Sequence, residues 1–184
     1  MTKFRGFIAV DINVSSKIKE FSDEITKSGA NVKLVEPENI HLTLKFLGDT
    51  DEALINKIEE IMKKSVKNVD PFKIQLNRVG VFPNLNYIKV VWIGIQNGEN
   101  LAIIARDINE KLANLGFNRD KRGFSAHLTI ARVKSAKNKD KLLQIVNKFQ
   151  DVEFSNQKIG SIKLKKSDLT PKGPIYTTLR EVKL

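Results

Sequence analysis

Cysteine is absent from this chain of 184 residues, and histidine occurs only twice. Without cysteine there is no disulfide framework, no thiolate nucleophile and no cysteine-ligated zinc. Long apolar runs are missing from the opening MTKFRGFIAVDI, which holds about six such residues, where a membrane span needs roughly 20 and a signal peptide a longer apolar centre. A soluble, cytoplasmic protein that does not enter membranes is therefore expected. No G-x-S-x-G elbow occurs either, which removes the usual setting of a Ser-His-Asp triad. No low-complexity linker divides the chain, so residues 1–184 read as a single domain with enough apolar sequence, 41%, to bury a core.

Positive charge, by contrast, is plentiful. Lysine and arginine number 32 against 21 acidic residues, for a net charge of +11 and a pI near 9.8. Such a balance suits an anionic partner, because lysine and arginine gain affinity for phosphates by releasing condensed counterions. Single clusters such as Lys63-Lys64 or Lys163-Lys165-Lys166 read as solvated faces; the total is what points to phosphate.

Apolar residues at helical spacing predict four amphipathic helices. The first covers 14–28 (Val14, Ile18, Phe21, Ile25) and stops at Gly29. The second covers 51–66 (Leu54, Ile58, Ile61, Met62), with Asp49 and Glu52 at capping-box spacing. A third runs through Leu101, Ile104, Ile108, Leu112 and Leu115 to Gly116, and a fourth through Leu142, Val146 and Phe149. Runs rich in Val, Ile and Phe predict strands at 4–12, 32–35, 40–47, 72–81, 87–95, 124–133, 152–165 and 175–184. The turn residues at 83–86 and 171–174 predict hairpins joining 72–81 to 87–95 and 152–165 to 175–184. The order helix, strand, helix, hairpin thus occurs twice, which implies an internal duplication over approximately 13–95 and 99–184 and an α+β fold of two pseudo-symmetric lobes.

The two histidines hold matching places in that repeat. Ile40 to Gly48 reads IHLTLKFLG and Ala126 to Val133 reads AHLTIARV, so His127 follows His41 by 86 residues (127 minus 41), each heading the tripeptide His-Leu-Thr. Strand alternation puts His41, Thr43 and Lys45 on one face and Leu42, Leu44 and Phe46 on the other; His127, Thr129 and Ala131 share a face against Leu128 and Ile130. If a two-fold axis relates the lobes, two imidazoles and two hydroxyls converge across a cleft. With a pKa near 6.5, one imidazole can be neutral and the other charged near neutrality, as a reaction that removes one proton and delivers another requires. In-line displacement at phosphorus has that geometry. A zinc site would have two imidazoles, no cysteine and no acidic residue within either strand.

At these residues the chain resembles the two-histidine (2H) phosphoesterases, and within them the branch of RNA 2′,3′-cyclic phosphodiesterases, also called 2′-5′ RNA ligases. The family's paired His-x-Thr/Ser-x motifs are matched by His41-Leu42-Thr43-Leu44 and His127-Leu128-Thr129-Ile130. Further similarity lies in Phe4 to Val10, in Val35 to Ile40 and in Lys45-Phe46-Leu47-Gly48, so that it covers essentially the whole chain. The resemblance implies two lobes, each an antiparallel sheet with two helices, facing each other across a basic cleft. It implies hydrolysis of RNA 2′,3′-cyclic phosphate ends to 2′-phosphomonoesters without metal or other cofactor, in a monomer, with joining of RNA ends in a 2′-5′ linkage as related chemistry and tRNA fragments among the candidate substrates. His41 and His127 become the catalytic pair, with His127 as base and His41 as acid; Thr43, Thr129 and Arg132 bind phosphate, and Phe46 packs on the terminal base. Lys45 has the parity for a substrate contact, although its counterpart is Ala131. Phe46 and Arg132 lie five residues after their histidines, on the opposite face of an unbroken strand, so each needs a bulge to reach the cleft; without one, Phe46 is a core aromatic. The loops 82–86 and 118–122 are expected to shape substrate choice. A non-catalytic RNA-binding module with the same basic groove fits these residues too, and product formation separates it from the enzyme.

Overall fold

The computed structural model describes residues 2–120 and 123–184. Nine strands and four α-helices alternate along these residues: β1 (Lys3–Asp11), α1 (Ser16–Lys27), β2 (Val32–Leu34), β3 (His41–Asp51), α2 (Ile55–Val66), β4 (Phe72–Pro83), β5 (Ile88–Gln96), α3 (Glu99–Ala113), β6 (His127–Val133), α4 (Lys139–Lys148), β7 (Glu153–Ile159), β8 (Ser161–Thr170) and β9 (Gly173–Lys183). All four helices fall where apolar spacing predicts them. In α1 the buried Ile18, Phe21 and Ile25 form one stripe, and the Ser15 hydroxyl accepts from the Ile18 amide at 3.3 Å, satisfying a donor left unpaired at the helix start. Asp51, rather than the expected Asp49, caps the turn that leads into α2, accepting from the Ala53 amide at 2.9 Å.

The strands form two antiparallel sheets. The first has the order β3-β1-β8-β9 and the second β2-β6-β5-β4-β7. Helices α2 and α3 cover the first, and α1 and α4 the second. Each lobe is therefore an antiparallel sheet with two helices, but the lobes are not the two halves of the chain. Hairpin β4-β5 from the first half builds the sheet that holds His127, while hairpin β8-β9 from the second half completes the sheet that holds His41.

The exchange turns on a break that the expected strand 152–165 conceals. Buried positions run Gln157 and Ile159, then Ile162 and Leu164. Ile159 and Ile162 are three apart, which no single alternating strand permits, and Gly160 separates β7, paired with β4, from β8, paired with β1. The histidine strands β3 and β6 meet at the seam between the lobes. No helix among the described residues is long and apolar enough to cross a membrane.

Candidate active site

Both histidine strands carry a bulge at the same place. On β3, Thr43 is level with Ala9 and Lys45 with Ile8, so Leu44 is the extra residue; on β6, Thr129 is level with Trp92 and Ala131 with Val91, so Ile130 is extra. A bulge adds one residue and reverses alternation beyond it. Lys45 and Ala131 therefore turn toward the helices, while Phe46 and Arg132 turn to the face of His41 and His127. Phe46 is 67% exposed, with its ring centroid 6.5 Å from that of Phe7, which removes the core-aromatic alternative. Arg132 is exposed on the same face of β6 as His127.

Lys45 does not join them. It is 2% exposed, and its ammonium donates to Asn109 Oδ1 at 2.8 Å and to the Asn118 carbonyl at 2.6 Å, and pairs with Asp120 at 2.9 Å. These contacts tie β3 to α3 and to the loop after it, so the expected substrate contact is corrected: the bulge reverses the parity on which that expectation rested. Of the expected cleft-wall loop 118–122, Lys121 and Arg122 lie outside the described residues.

His41 and His127 are oriented alike. Nδ1 of His41 lies 2.6 Å from the Asn39 carbonyl, and Nδ1 of His127 lies 2.8 Å from the Ser125 carbonyl, in each case two residues earlier. A carbonyl can only accept, so each Nδ1 carries a proton and Nε2 is the nitrogen left for exchange. At His41, Nε2 lies 2.9 Å from the Thr43 hydroxyl, which donates to it in the neutral ring. Aromatic rings hold both imidazoles: Phe7 and Tyr176 at 4.9 and 5.3 Å from His41, and Phe82 edge-on at 5.1 Å from His127. Thr43 and Thr129 stand half-buried on the cleft face two residues after each histidine.

The two strands share one electrostatic environment. Burial pushes the pKa of His41 below its ordinary value; the Asn39 carbonyl opposes this, Lys165 adds to it, Asp11 opposes it and Arg132 adds to it. Burial also raises the phenol of Tyr176, against the nearby charges of Arg132 and Arg5. Arg132, from the His127 strand, is thus near enough to His41 and Tyr176 of the opposite sheet for its charge to act on both.

Phe7, Phe82 and Tyr176 escape a reading by motif, since each is a strand aromatic like many core residues, and only sheet pairing sets them beside the imidazoles. Lys163 and Lys165 are not the solvated lysines that composition suggests. Lys165 is 8% exposed and ion-paired with Asp11, and Lys163 reaches the same carboxylate at 2.7 Å. Asp11, level with His41, feels burial that would raise its pKa, yet these lysines hold it below the usual carboxylate range. Their signal in the sequence was alternation: Lys163 and Lys165 share one strand face, opposite Ile162 and Leu164.

Comparison with known proteins identifies the family. The family model described as the 2′-5′ RNA ligase superfamily matches residues 14–168. An RNA 2′,3′-cyclic phosphodiesterase of Methanocaldococcus jannaschii is 46% identical over 179 residues, covering 96% of this chain and 99% of that protein. Another, of Methanothermobacter thermautotrophicus, is 39% identical over 184 residues, covering 99% and 100%. Among solved structures, a Thermus thermophilus protein superposes with a TM-score of 0.78 at 25% identity, covering 98% of this chain and 97% of its own. Escherichia coli LigT, crystallised with 3′-AMP, shares the fold with a TM-score of 0.76 at 21% identity, covering 100% and 99%. With paired His-Leu-Thr strands on matching bulges, and relatives aligned along nearly its whole length, the chain belongs to the 2′-5′ RNA ligase superfamily.

Proposed function

We propose that this protein hydrolyses the 2′,3′-cyclic phosphate at RNA ends to a 2′-phosphomonoester, with His41 and His127 as the acid/base pair. The observation that carries the reading is the equivalent presentation of the two imidazoles: each fixed through Nδ1 to a backbone carbonyl, each with a threonine hydroxyl two residues on, at a cleft that Arg132 shares between them. The names of the archaeal relatives support the same activity.

The terminal nucleoside lies on the first sheet, its base on the exposed ring of Phe46 and its 3′ oxygen toward His41. Thr43, Thr129 and Arg132 hold the non-bridging phosphate oxygens, where donors oppose the charge that builds as phosphorus becomes five-coordinate. His127 takes a proton from water, the water oxygen bonds to phosphorus, the bond to O3′ breaks, and His41 delivers its proton to that oxygen. His41 is neutral in the empty cleft because burial and cationic neighbours depress its pKa, and an anionic phosphate at Nε2 acts the other way. The acid form is therefore generated when substrate binds.

Turnover of an oligoribonucleotide ending in a 2′,3′-cyclic phosphate, in the presence of chelator, tests the proposal. His41→Ala and His127→Ala should each lose about 10²- to 10⁴-fold in rate, and the wild-type product should be the 2′ isomer. Either variant working near the wild-type rate would refute the pair, and binding without product would leave the RNA-binding module. Ligation of RNA ends in a 2′-5′ linkage follows from the same groups if a ribose 5′-hydroxyl takes the place of water.

A further inference from the structure

The cleft face of the second sheet bears, beside the Phe82 that holds His127, a tryptophan that hydrolysis does not use. Moving outward from the seam, Thr129 on β6 is level with Trp92 on β5, and Trp92 is level with Gly80 on β4. Trp92 is the chain's one tryptophan. Its ring lies over Gly80, where a Cβ would come within 2.2 Å of Cζ2. Gly94, level with His127, also leaves space: a Cβ there would stand 3.4 Å from the indole and 2.9 Å from the Asn77 carbonyl. Phe82 packs against the indole with centroids 5.1 Å apart at 34°.

The indole nitrogen is buried and has no acceptor among the described residues. Buried tryptophans ordinarily find one, so the glycine floor and Phe82, rather than a hydrogen bond, set the ring's position. Next to it lies an open cavity of about 460 Å³ whose lining includes Asn77, Arg78, Trp92, Gln96, Gln150 and Asp151, within the size range of small-ligand sites. Arg78 is the extra residue of the β4 bulge, exposed and held at φ +62°, a left-handed backbone that non-glycine residues adopt mainly where structure or function imposes it.

We propose that this face binds a second nucleotide, the 5′-hydroxyl-terminated strand that replaces water as the attacking group, with its first base stacked on Trp92 and its next phosphate at Arg78. The inference rests on the cyclic-phosphate reading above. In-line attack fixes the side: with the leaving O3′ at His41, the nucleophile enters at His127, beside Gly94 and Trp92. The 5′ oxygen bonds to phosphorus, the bond to O3′ breaks, His127 takes the 5′-hydroxyl proton and His41 gives its own to O3′. A 2′-5′ phosphodiester results with no further reactant. The first sheet has no such platform, because Ala9, level with Thr43, stands where Trp92 does, and its neighbour on β8 is Lys163 rather than glycine.

The sole tryptophan makes its fluorescence a direct reporter. With adenosine 2′-monophosphate saturating the first subsite, the 5′-hydroxyl dinucleotide ApA is expected to quench the emission saturably. Arg78→Gln should weaken that binding severalfold while cyclic-phosphate hydrolysis stays at the wild-type rate. Base stacking on an aromatic side chain implies a loss on the order of 10-fold or more in the ratio of transfer to hydrolysis for Trp92→Leu. No quenching, or quenching abolished by excess 2′-monophosphate, overturns the subsite even where hydrolysis is normal. Absence of hydrolysis in the wild type would instead sink the chemistry on which it rests. Should Trp92→Leu fold poorly, the wild-type titration and Arg78→Gln decide the matter.

Discussion

Replacing Lys45 with methionine separates an anchor from a substrate contact. Methionine keeps most of the aliphatic length and removes the ammonium, which is held by Asn109, Asn118 and Asp120. A hydrogen bond to a charged group contributes about 1.5–3 kcal/mol, and an acceptor left unpaired in the interior costs about 1–3 kcal/mol. The losses do not simply add. Asn109 Oδ1 keeps a second donor, the Asp120 amide at 2.9 Å, and Asp120 is 55% exposed, so water can resolvate its carboxylate. The remaining cost centres on the Asn118 carbonyl and the loss of the charged bonds, roughly 2–4 kcal/mol in total. At about 2–4 °C per kcal/mol for a chain of this size, the melting temperature should fall by about 4–16 °C. Urea unfolding with an unchanged m-value provides the stability, and cyclic-phosphate hydrolysis below the transition provides the activity. Lys45→Met should be less stable with kcat/KM within about threefold of wild type. A stable variant that had lost turnover would return Lys45 to the cleft and refute the bulge argument.

Phe46→Ala should raise KM for the cyclic phosphate by about 5-fold or more, in keeping with base stacking worth about 1–3 kcal/mol, and should leave unfolding unchanged because the ring is 67% exposed; loss of stability without change in KM would make it a packing residue. Binding of adenosine 2′-monophosphate at pH 7 should take up a proton, since His41 is neutral in the free protein and the bound anion raises its pKa, so affinity should fall as pH rises above the free-state pKa. Calorimetry in buffers of different ionisation enthalpy measures that uptake, and proton release would reverse the sign. Arg132→Ala should weaken product binding, reduce its salt dependence and shift the His41 titration upward, because Arg132 is among the charges that depress it; an unmoved titration would place Arg132 away from His41.

The sequence disclosed the elements that local periodicity dictates. The four apolar helical stripes and the two hairpin turns follow directly from spacing and turn residues, and the His-Leu-Thr pair marks the family. Strand pairing was beyond that reading. Whether β8 pairs with β1 or continues alongside β4 depends on contacts more than a hundred residues apart, and only the shift in parity between Ile159 and Ile162 hinted at the switch. The bulges behave in the same way. Phe46 and Arg132 need one to reach the histidine face, whereas unbroken alternation places Lys45 there, and the extra residue Leu44 reverses that placement. Tyr176, Lys163 and Lys165 lie far along the chain from His41 and reach it through β1, β8 and β9, a neighbourhood created by the sheet order alone.

That sheet order bears directly on the catalytic proposal. A pair of acid and base groups works only if their separation is held to a fraction of an ångström, and two lobes joined by a linker would leave that separation to a hinge. Here each sheet is built from both halves of the chain: β8 and β9 lock onto β1 beside the His41 strand, and β4 and β5 onto the His127 strand. Opening the cleft as a hinge would strain the connections between β5 and α3 and between β7 and β8 at once, the second of which is the single residue Gly160. Backbone pairing thus ties each histidine strand to elements from both halves of the chain, and one apolar core draws residues from both sheets. The two walls differ in what they carry: an exposed phenylalanine and paired lysines on one, and a tryptophan over glycine on the other.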